Sequence, residues 1–289
     1  MPQDMEVRSA PTPFSPLLAN VALHGMEDAL GVVLNRHGII RGDRAVVRYA
    51  DDFVVFCESQ EDTHQVLDIL KNWLKVRGLT LSSEKTRIIH LTEGFDFLGF
   101  TVRQYPDRRT ATGYRLLITP SAQSVQRLRE RMRNEWKKMR GTNVQAVLTQ
   151  LNPIIQGWAN YFRIGVASRT FKGLDQFMFC RAYRYAKFTH PRKSWQWRQN
   201  RYWGKLNLKR YDRWVFGDKT TGRYLLKFAW FPIERHQQAK GASWQPGLPS
   251  AASRASTGVC LRTLSRRPLQ RGRTPSRSYR AASTGWKQP

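Results

Sequence analysis

Two adjacent carboxylates, Asp51 and Asp52, lie between the runs 46–49 and 53–56, which are rich in β-branched and aromatic residues. This pattern predicts a strand, a tight turn and a second strand, with residues 49–52 at the tip. Paired like charges in such a turn are costly unless a cation neutralises them. Hard carboxylate oxygens suit Mg²⁺, which assists nucleotidyl transfer when it is held close to the reacting phosphate. A solvated Asp-Asp turn is the alternative that the residues leave open.

The charge of the chain is unevenly distributed. Its 289 residues carry a formal net charge of +28, with −1 in residues 1–120, +19 in 121–239 and +10 in 240–289. A hydrophobic content of 40% is enough to build a core. So basic a chain predicts a polyanionic partner, most simply nucleic acid, bound downstream of the carboxylates.

The three cysteines, at positions 57, 180 and 260, are far apart and form no CxxC pair. A zinc ribbon, a cysteine-rich nuclease module and a disulfide scaffold are therefore not expected. No apolar run reaches the roughly 18–20 residues of a membrane span, and no signal-peptide pattern opens the chain. The sequence predicts a soluble protein of a reducing compartment with no membrane partner.

The carboxylate turn must be positioned by the elements around it. Helical periodicity covers residues 17–35, with glycines at 25 and 31 that could interrupt it, and again residues 61–77. Short strands are expected over 79–91, 95–102 and 114–119. From Pro120 onward the pattern is helical, over 121–140, 143–163 with a break near Pro153, and 167–188. After Gly241 the composition is acid-free and rich in Ser, Arg and Pro, which predicts disorder.

Several short motifs in this order resemble the reverse transcriptases that group II introns encode. They are Ser15–Asn20 (SPLLAN), Tyr49–Asp52 (YADD), Gly78–Thr86 (GLTLSSEKT), Phe97–Phe100 (FLGF), Leu151–Phe162 (LNPIIQGWANYF), His190–Trp197 (HPRKSWQW) and Arg201–Trp203 (RYW). The resemblance extends over roughly residues 15–235. The last three motifs are similar to the thumb or maturase region of that family, which favours it over retron-type and other bacterial reverse transcriptases.

The resemblance implies roles for individual residues. Asp51 would ligate catalytic Mg²⁺, with Asp52 beside it, and Lys85 would lie near the incoming nucleotide phosphates. Leu98 and Gly99 resemble the primer grip. The nucleotide pocket of the family would be lined here by Ala19, Asn20 and Tyr49. Each role has a plainer alternative: Lys85 as a solvated turn lysine, Gly99 as a bulge and Asn20 as one more polar helix position.

The resemblance also places RNA binding in the basic helical region. The candidate contacts there are Arg127, Arg131, Lys137, Lys138, Arg192 and Lys193. Basic residues of this kind contact phosphate, which supplies affinity without reading sequence. The neighbouring aromatic residues, among them Trp158 and Tyr161, could stack on bases, but packing in a core is the more common use of aromatics at helical spacing. His190 has no partner at ligand spacing and is expected to be structural.

The predicted fold is α+β: a leader at 1–14, a partial polymerase palm with an antiparallel sheet at 15–119, an α-helical thumb or maturase domain at 120–236 and a disordered basic tail at 237–289. The family has a further catalytic aspartate on a palm strand upstream of the Ser15 motif. Only Asp4 and Glu6 precede Ser15 here. An N-terminally truncated chain that does not polymerise DNA alone is therefore expected, with a tail that is frame-shifted or unrelated.

The family-level function is RNA-directed DNA synthesis together with help in splicing the host intron. The partners implied are intron RNA, a DNA target or primer and, if the palm is active, dNTPs; the oligomeric state is open. The implied location is the bacterial cytoplasm, with the nucleoid or a ribonucleoprotein. A non-catalytic maturase remnant and a decayed fragment without a stable fold are the alternatives.

Overall fold

The computed structural model describes residues 15–34, 40–41, 43–110, 113–234, 257–261 and 264–266. Its first part mixes short helices and strands and its second part is helical. The elements of the first part are α1 (Ser15–Ala22), α2 (Met26–Ala29), β1 (Val33–Leu34), β2 (Ile40–Arg41), β3 (Ala45–Tyr49), β4 (Asp52–Cys57), α3 (Gln60–Val76), β5 (Leu79–Leu81), β6 (Thr86–His90), β7 (Phe95–Phe97), β8 (Phe100–Pro106) and β9 (Tyr114–Pro120). Those of the second part are α4 (Ala122–Lys138), α5 (Val144–Phe162), α6 (Ser168–Thr189), α7 (Trp195–Tyr202), β10 (Trp203–Gly204), β11 (Val215–Phe216) and a 3₁₀ turn (Phe228–Trp230), followed by β12 (Thr257–Leu261) and β13 (Leu264–Arg266).

The first α-helical prediction is wrong in one respect, because residues 17–35 do not form one continuous stretch. The chain folds as α1 and α2 with a turn between them, and Gly25 and Gly31 both adopt positive φ, at 80° and 69°. Only glycine adopts this left-handed conformation at little cost, so the two glycines set the breaks. The prediction for 61–77 is confirmed by α3, which Ser59 caps by accepting a hydrogen bond from the Asp62 backbone NH.

The largest sheet has the order β3-β4-β12-β6, and every neighbouring pair in it is antiparallel. Residues 53–57 of β4 are all buried, and α3 packs against this strand through Val66 and Leu70. A second sheet, β7-β8-β9, packs on β4 through Phe95, whose ring lies 6.2 Å from that of Phe56, and on α5 through Phe100, whose ring lies 4.8 Å from that of Phe162. Both sheets are antiparallel, as the palm prediction requires.

The inner strand β12 comes from the far end of the chain, where the sequence predicted disorder. Residues 257–261 pair with residues 53–57 of β4 on one side and with residues 86–90 of β6 on the other. β13 pairs with β5. The eight residues of β12 and β13 therefore form strands, although disorder was predicted for them. For β12 the physical reason is its β-branched and apolar residues, which suit a strand. The remainder of 237–289 lies outside the described residues, as does the predicted leader.

The helical part has its own core, built on the buried faces of α4, α5 and α6. The predicted break near Pro153 is wrong: α5 runs without interruption from Val144 to Phe162. Pro153 is exposed, whereas Leu151 and Ile155 on the opposite face are fully buried. Their packing compensates for the backbone hydrogen bond that proline cannot donate. Among the helices described, none combines the length and apolarity that a membrane span needs.

Candidate functional site

The Asp51-Asp52 motif occupies the tip of the β3–β4 hairpin, as predicted. Tyr49 pairs with Asp52, which leaves Ala50 and Asp51 as a two-residue turn. Ala50 has a φ of 54°, so the turn has the φ signs of type II′, in which glycine is usual at this position. A non-glycine residue in this conformation stores strain of the order of 1 kcal/mol, which is typical of positions under functional constraint. Both carboxylates are half-buried.

Helix α1 is tied to this hairpin by Arg48, a residue that sequence reasoning did not single out. The Nη1 of Arg48 donates to the Oδ1 of Asn20 at 3.2 Å, and its Nε lies 3.5 Å from Glu27. Asn20, one of the predicted nucleotide-pocket residues, therefore lies beside β3. Ala19 is half-buried in the same helix. An isolated arginine inside a strand gives no sequence signal for such a role.

The predicted primer-grip residues, Leu98 and Gly99, form the two-residue turn between β7 and β8. Phe97 pairs with Phe100, and both turn residues have positive φ, 49° and 80°, which are the signs of type I′. The bulge alternative for Gly99 is therefore wrong, because the glycine sits in the turn itself.

This turn is held by the helical part. The Gly99 carbonyl accepts hydrogen bonds from the Ser121 NH at 2.8 Å and the Ser124 Oγ at 3.0 Å. The Leu98 carbonyl accepts one from the Tyr161 hydroxyl at 2.8 Å. Both carbonyls are thus fixed by residues at the beginning of α4 and near the end of α5.

Tyr161 lies at the second turn and is also influenced by the carboxylate hairpin. Its pKa is raised by burial and, to a smaller extent, by the neighbouring Tyr49. Its ring stacks on Phe100 with a centroid separation of 5.5 Å. This half-exposed tyrosine therefore contacts the second turn directly, through Leu98 and Phe100, and senses the carboxylate hairpin only through the electrostatic effect of Tyr49. The sequence offered Tyr161 only as a packing or stacking aromatic.

Lys85 lies at the same end of the large sheet as the carboxylates. Phe53, next to Asp52, pairs with Leu261, and Leu261 pairs with Thr86, next to Lys85. Two strand spacings separate β4 from β6, which is about 10 Å. Lys85 is exposed and borders an open groove of about 550 Å³ that also contains Glu84, Arg87 and Arg103. This position is compatible both with a lysine near the nucleotide phosphates and with a solvated turn lysine.

The helical part contains a groove of about 420 Å³ between α4 and α6, here called the cationic groove. Six cationic residues line it: Arg133, Lys137, Arg140, Arg181, Arg184 and Lys187. Trp136, Tyr185 and Phe188 supply its apolar surface, and no described acidic residue lines it. Burial and the nearby Arg184 and Arg133 lower the pKa of Arg181. An anion placed in the groove would relieve this repulsion.

The residues predicted to bind RNA fall into several places rather than one. Arg127 and Arg131 line a different groove of about 480 Å³, between α4 and α5. Lys137 alone of the set lines the cationic groove. Lys138 pairs with Glu135 at 3.0 Å, and Lys193 lies 5.5 Å from the centre of the Trp197 ring.

Arg192 is exposed in the loop after α6. The Nε2 of His190 in the same loop lies 2.8 Å from the Tyr202 hydroxyl, which agrees with the structural role expected for this histidine. The spacing of Arg133 and Lys137 could have indicated one face of α4. No sequence signal joins that face to the cations of α6.

Two family models match the chain. Residues 12–102 match the model for reverse transcriptase (RNA-dependent DNA polymerase), and residues 125–203 match the group II intron maturase-specific domain. The chain belongs to the group II intron reverse transcriptase/maturase family. No curated protein matched it. The two models appear in the order that the family has them, so the resemblance stated from the motifs is confirmed.

The matches divide the site between the two domains of the family. Both turns, Ala50-Asp51 and Leu98-Gly99, lie in the reverse-transcriptase match, and all six residues of the cationic groove lie in the maturase match. The domains are those of an RNA-directed DNA polymerase and a maturase, whose substrates are nucleic acids.

Reverse transcriptases use a divalent metal, so the carboxylates near the β3–β4 turn must be able to hold such an ion. Within the described residues, no group of three or more His, Cys, Asp or Glu side chains is placed to hold an ion. The strands β3, β12 and β6 contain no Asp or Glu, so Asp51 and Asp52 are the only carboxylates that the described strands of this sheet and the β3–β4 turn supply. Two carboxylates fit Mg²⁺, which is commonly held by one or two of them together with substrate phosphates.

Proposed function

We propose that this protein binds the structured RNA of a group II intron through the cationic groove and supports the folding of that RNA for splicing. The observation that carries the proposal is the groove itself. Five cations on the facing helices α4 and α6 and a sixth, Arg140, just after α4 line it, with no described acid among the lining residues, inside the matched maturase-specific domain. Arg133 and Lys137 are four residues apart on α4, which is about 6 Å along the helix axis, and Arg140 follows in the turn after the helix. Such a row of cations can contact several phosphates of one strand.

The apolar floor of the groove supports this use. The Arg140 guanidinium lies 5.1 Å from the centre of the Phe188 ring, which lines the groove, and two further groove cations, Arg133 and Arg181, lie within 6 Å of the Phe177 ring beside it. Aromatic faces hold guanidinium groups in place without neutralising them. The side chains therefore lose less conformational freedom when phosphate binds, which favours affinity.

For the palm, we propose that Asp51 and Asp52 hold Mg²⁺ during RNA-templated DNA synthesis. The ion would supply charge neutralisation at the phosphates of an incoming dNTP. Asn20, kept beside β3 by Arg48, would line the nucleotide pocket together with Ala19, and Lys85 would offer a point charge to the phosphates. The Leu98-Gly99 turn would position the primer strand, since its backbone is fixed by the Tyr161, Ser121 and Ser124 hydrogen bonds.

A maturase that does not polymerise is the second candidate. Two observations favour it. The family has a further catalytic aspartate on another palm strand, and the described strands that flank the β3–β4 hairpin supply no Asp or Glu. A primer-extension assay with Mg²⁺ decides between the two. Synthesis by the wild-type protein that Asp51→Asn abolishes would support the polymerase. No synthesis, with RNA binding intact in both proteins, would support the second candidate. In either case we propose that the protein resides with the intron ribonucleoprotein in the bacterial cytoplasm.

The test of RNA binding compares an intron RNA with an unrelated duplex RNA across a salt titration. The triple variant Arg133→Gln, Arg181→Gln, Arg184→Gln should lose the preference for intron RNA. Its matched control changes three exposed cations of the palm region, Lys75, Arg108 and Arg109, to glutamine. Both variants lose the same charge, so an equal effect of the two would mean that only net charge matters and would refute the groove as the binding site.

A further inference from the structure

The segment that follows the maturase match contains a loop, residues 205–214, whose tip presents apolar side chains to solvent. Tyr211 is 93% exposed and Leu208 is 87% exposed. Neither family model covers this loop, since the matches end at residues 102 and 203. An aromatic ring that is exposed to this extent offers a face on which a nucleic-acid base can stack.

The loop is rigidly held at its base, although its tip is exposed. Asp212 accepts hydrogen bonds from Lys227 at 3.1 Å and from the Trp230 indole NH at 2.6 Å. The Arg210 guanidinium donates to the Trp230 carbonyl at 3.0 Å, and the Oδ1 of Asn207, which is buried, accepts from the Lys209 NH. The residues on both sides of Tyr211 are thus anchored, so this side chain is held outward before any partner binds.

The positive charge around the Tyr211 ring indicates which kind of molecule this loop could bind. The loop carries four cations, Lys205, Lys209, Arg210 and Arg213, and its single acid, Asp212, already pairs with Lys227. The Lys205 ammonium lies 5.4 Å from the centre of the Tyr211 ring. A partner that offers a flat π-surface next to negative charge meets both features, and an unpaired nucleotide has this chemistry. A neutral apolar protein surface would leave the cations without partners.

We propose that the 205–214 loop is a second RNA contact of this protein, at which Tyr211 stacks on an unpaired base and the flanking cations contact the adjoining phosphates. The inference rests on the proposed RNA-binding function and adds a distinct site to it. The cationic groove holds phosphate regardless of base pairing, whereas this loop takes only RNA in which a base is free to stack. The loop therefore gives the protein a preference for bulges, internal loops or strand ends.

The experiment measures the affinity of the full-length protein for two RNA hairpins of equal length and charge. One is fully paired, and the other contains an unpaired internal loop. Tyr211→Ala should weaken binding to the second RNA about tenfold, as expected for loss of one base stack, and change binding to the first less than twofold. Tyr211→Phe should retain the affinity of the wild type. Leu208→Ala is the matched control, an equally exposed change in the same loop that removes no ring, and should have less than a twofold effect.

The possible results separate the two proposals. If Tyr211→Ala binds both RNAs as the wild type does, the loop is not an RNA contact and its tip serves a different class of partner. An equal loss on both RNAs would also overturn the inference, because stacking requires an unpaired base. The triple groove variant should weaken binding to both hairpins and reduce the salt dependence, which Tyr211→Ala should leave unchanged because it removes no charge. No binding by the wild type at low salt would refute both proposals.

Discussion

The turn formed by Leu98 and Gly99 offers the sharpest test of how the palm joins the helical part. Replacing Gly99 by alanine places a Cβ at a backbone φ of 80° and 3.0 Å from the Ser124 Oγ. That hydroxyl cannot move without consequence, because it donates to the Gly99 carbonyl and accepts a hydrogen bond from the Ser121 hydroxyl at 3.0 Å. The Phe162 ring, at 3.5 Å, limits movement of the new methyl in the other direction.

The expected cost has two parts. The left-handed backbone costs an alanine about 1 kcal/mol relative to glycine. Displacing Ser124 loses a hydrogen bond that contributes about 1 kcal/mol, and residual crowding adds a similar or smaller amount. Gly99→Ala should therefore reduce the free energy of unfolding by about 2–3 kcal/mol, which is roughly 4–10 °C in Tm for a chain of this size.

Thermal unfolding followed by circular dichroism measures the effect, and Gly141→Ala is its control. Gly141 has a φ of 81°, and a Cβ added there would meet no atom within 4 Å, so this variant reports backbone strain alone. That strain is about 1 kcal/mol. The double variant Gly99→Ala, Ser124→Ala removes the clash and should cost about 1 kcal/mol less than the sum of the single changes. Equal costs for Gly99→Ala and Gly141→Ala, or strict additivity in the double variant, would refute the contact.

Other parts of the structure lead to three more expected outcomes. Changing Arg133 and Arg184 to glutamine should flatten the slope of log K against log salt for RNA by about 1.4–1.8, the value for two lost phosphate contacts, and an unchanged slope would place those contacts elsewhere. Removing residues 237–289 takes away β12, so hydrogen exchange in β4 and β6 should accelerate and Tm should fall by several degrees; identical exchange with and without the tail would show that β12 does not pair there. Although partial burial opposes its ionisation, the hydrogen bonds from Trp230 and Lys227 lower the pKa of Asp212. Its contribution to stability is therefore present above the unfolded value of about 3.9 and lost as the pH falls through the lower folded value. Trp fluorescence between pH 5 and pH 2 should show that transition, and Asp212→Asn should lack it.

The local elements of this fold could be predicted because each follows from a short run of residues. Alternation around Asp51-Asp52 predicts the hairpin, and the apolar spacing of 61–77 predicts α3. Both patterns depend on side chains within a few positions of one another, which periodicity captures. The same reasoning overestimated the helix-breaking effect of Pro153. Here the helix continues through the proline because Leu151 and Ile155 on its opposite face are packed in the core.

What the sequence could not predict are the long-range pairings. Arg48 reaches Asn20 across 28 positions, and Tyr161 reaches Leu98 across 63. β12 enters a sheet whose other strands all end by His90. Neither the type of these residues nor their spacing in the sequence identifies the residue that each one contacts. The cationic groove could not be predicted for the same reason, because the cations of α6 approach those of α4 only when the two helices pack.

One helix connects the two halves of the proposed function. The first turn of α4, through Ser121 and Ser124, holds the Gly99 carbonyl, and the later turns of α4 carry Arg133 and Lys137 of the cationic groove. Its 17 residues span about 25 Å. A packed helix of this length is stiff, so RNA held in the groove and a primer at the Leu98-Gly99 turn would keep a fixed separation. A change that loosens the Gly99 contact should therefore impair primer use more than RNA affinity, since the groove lies at the other end of the same helix.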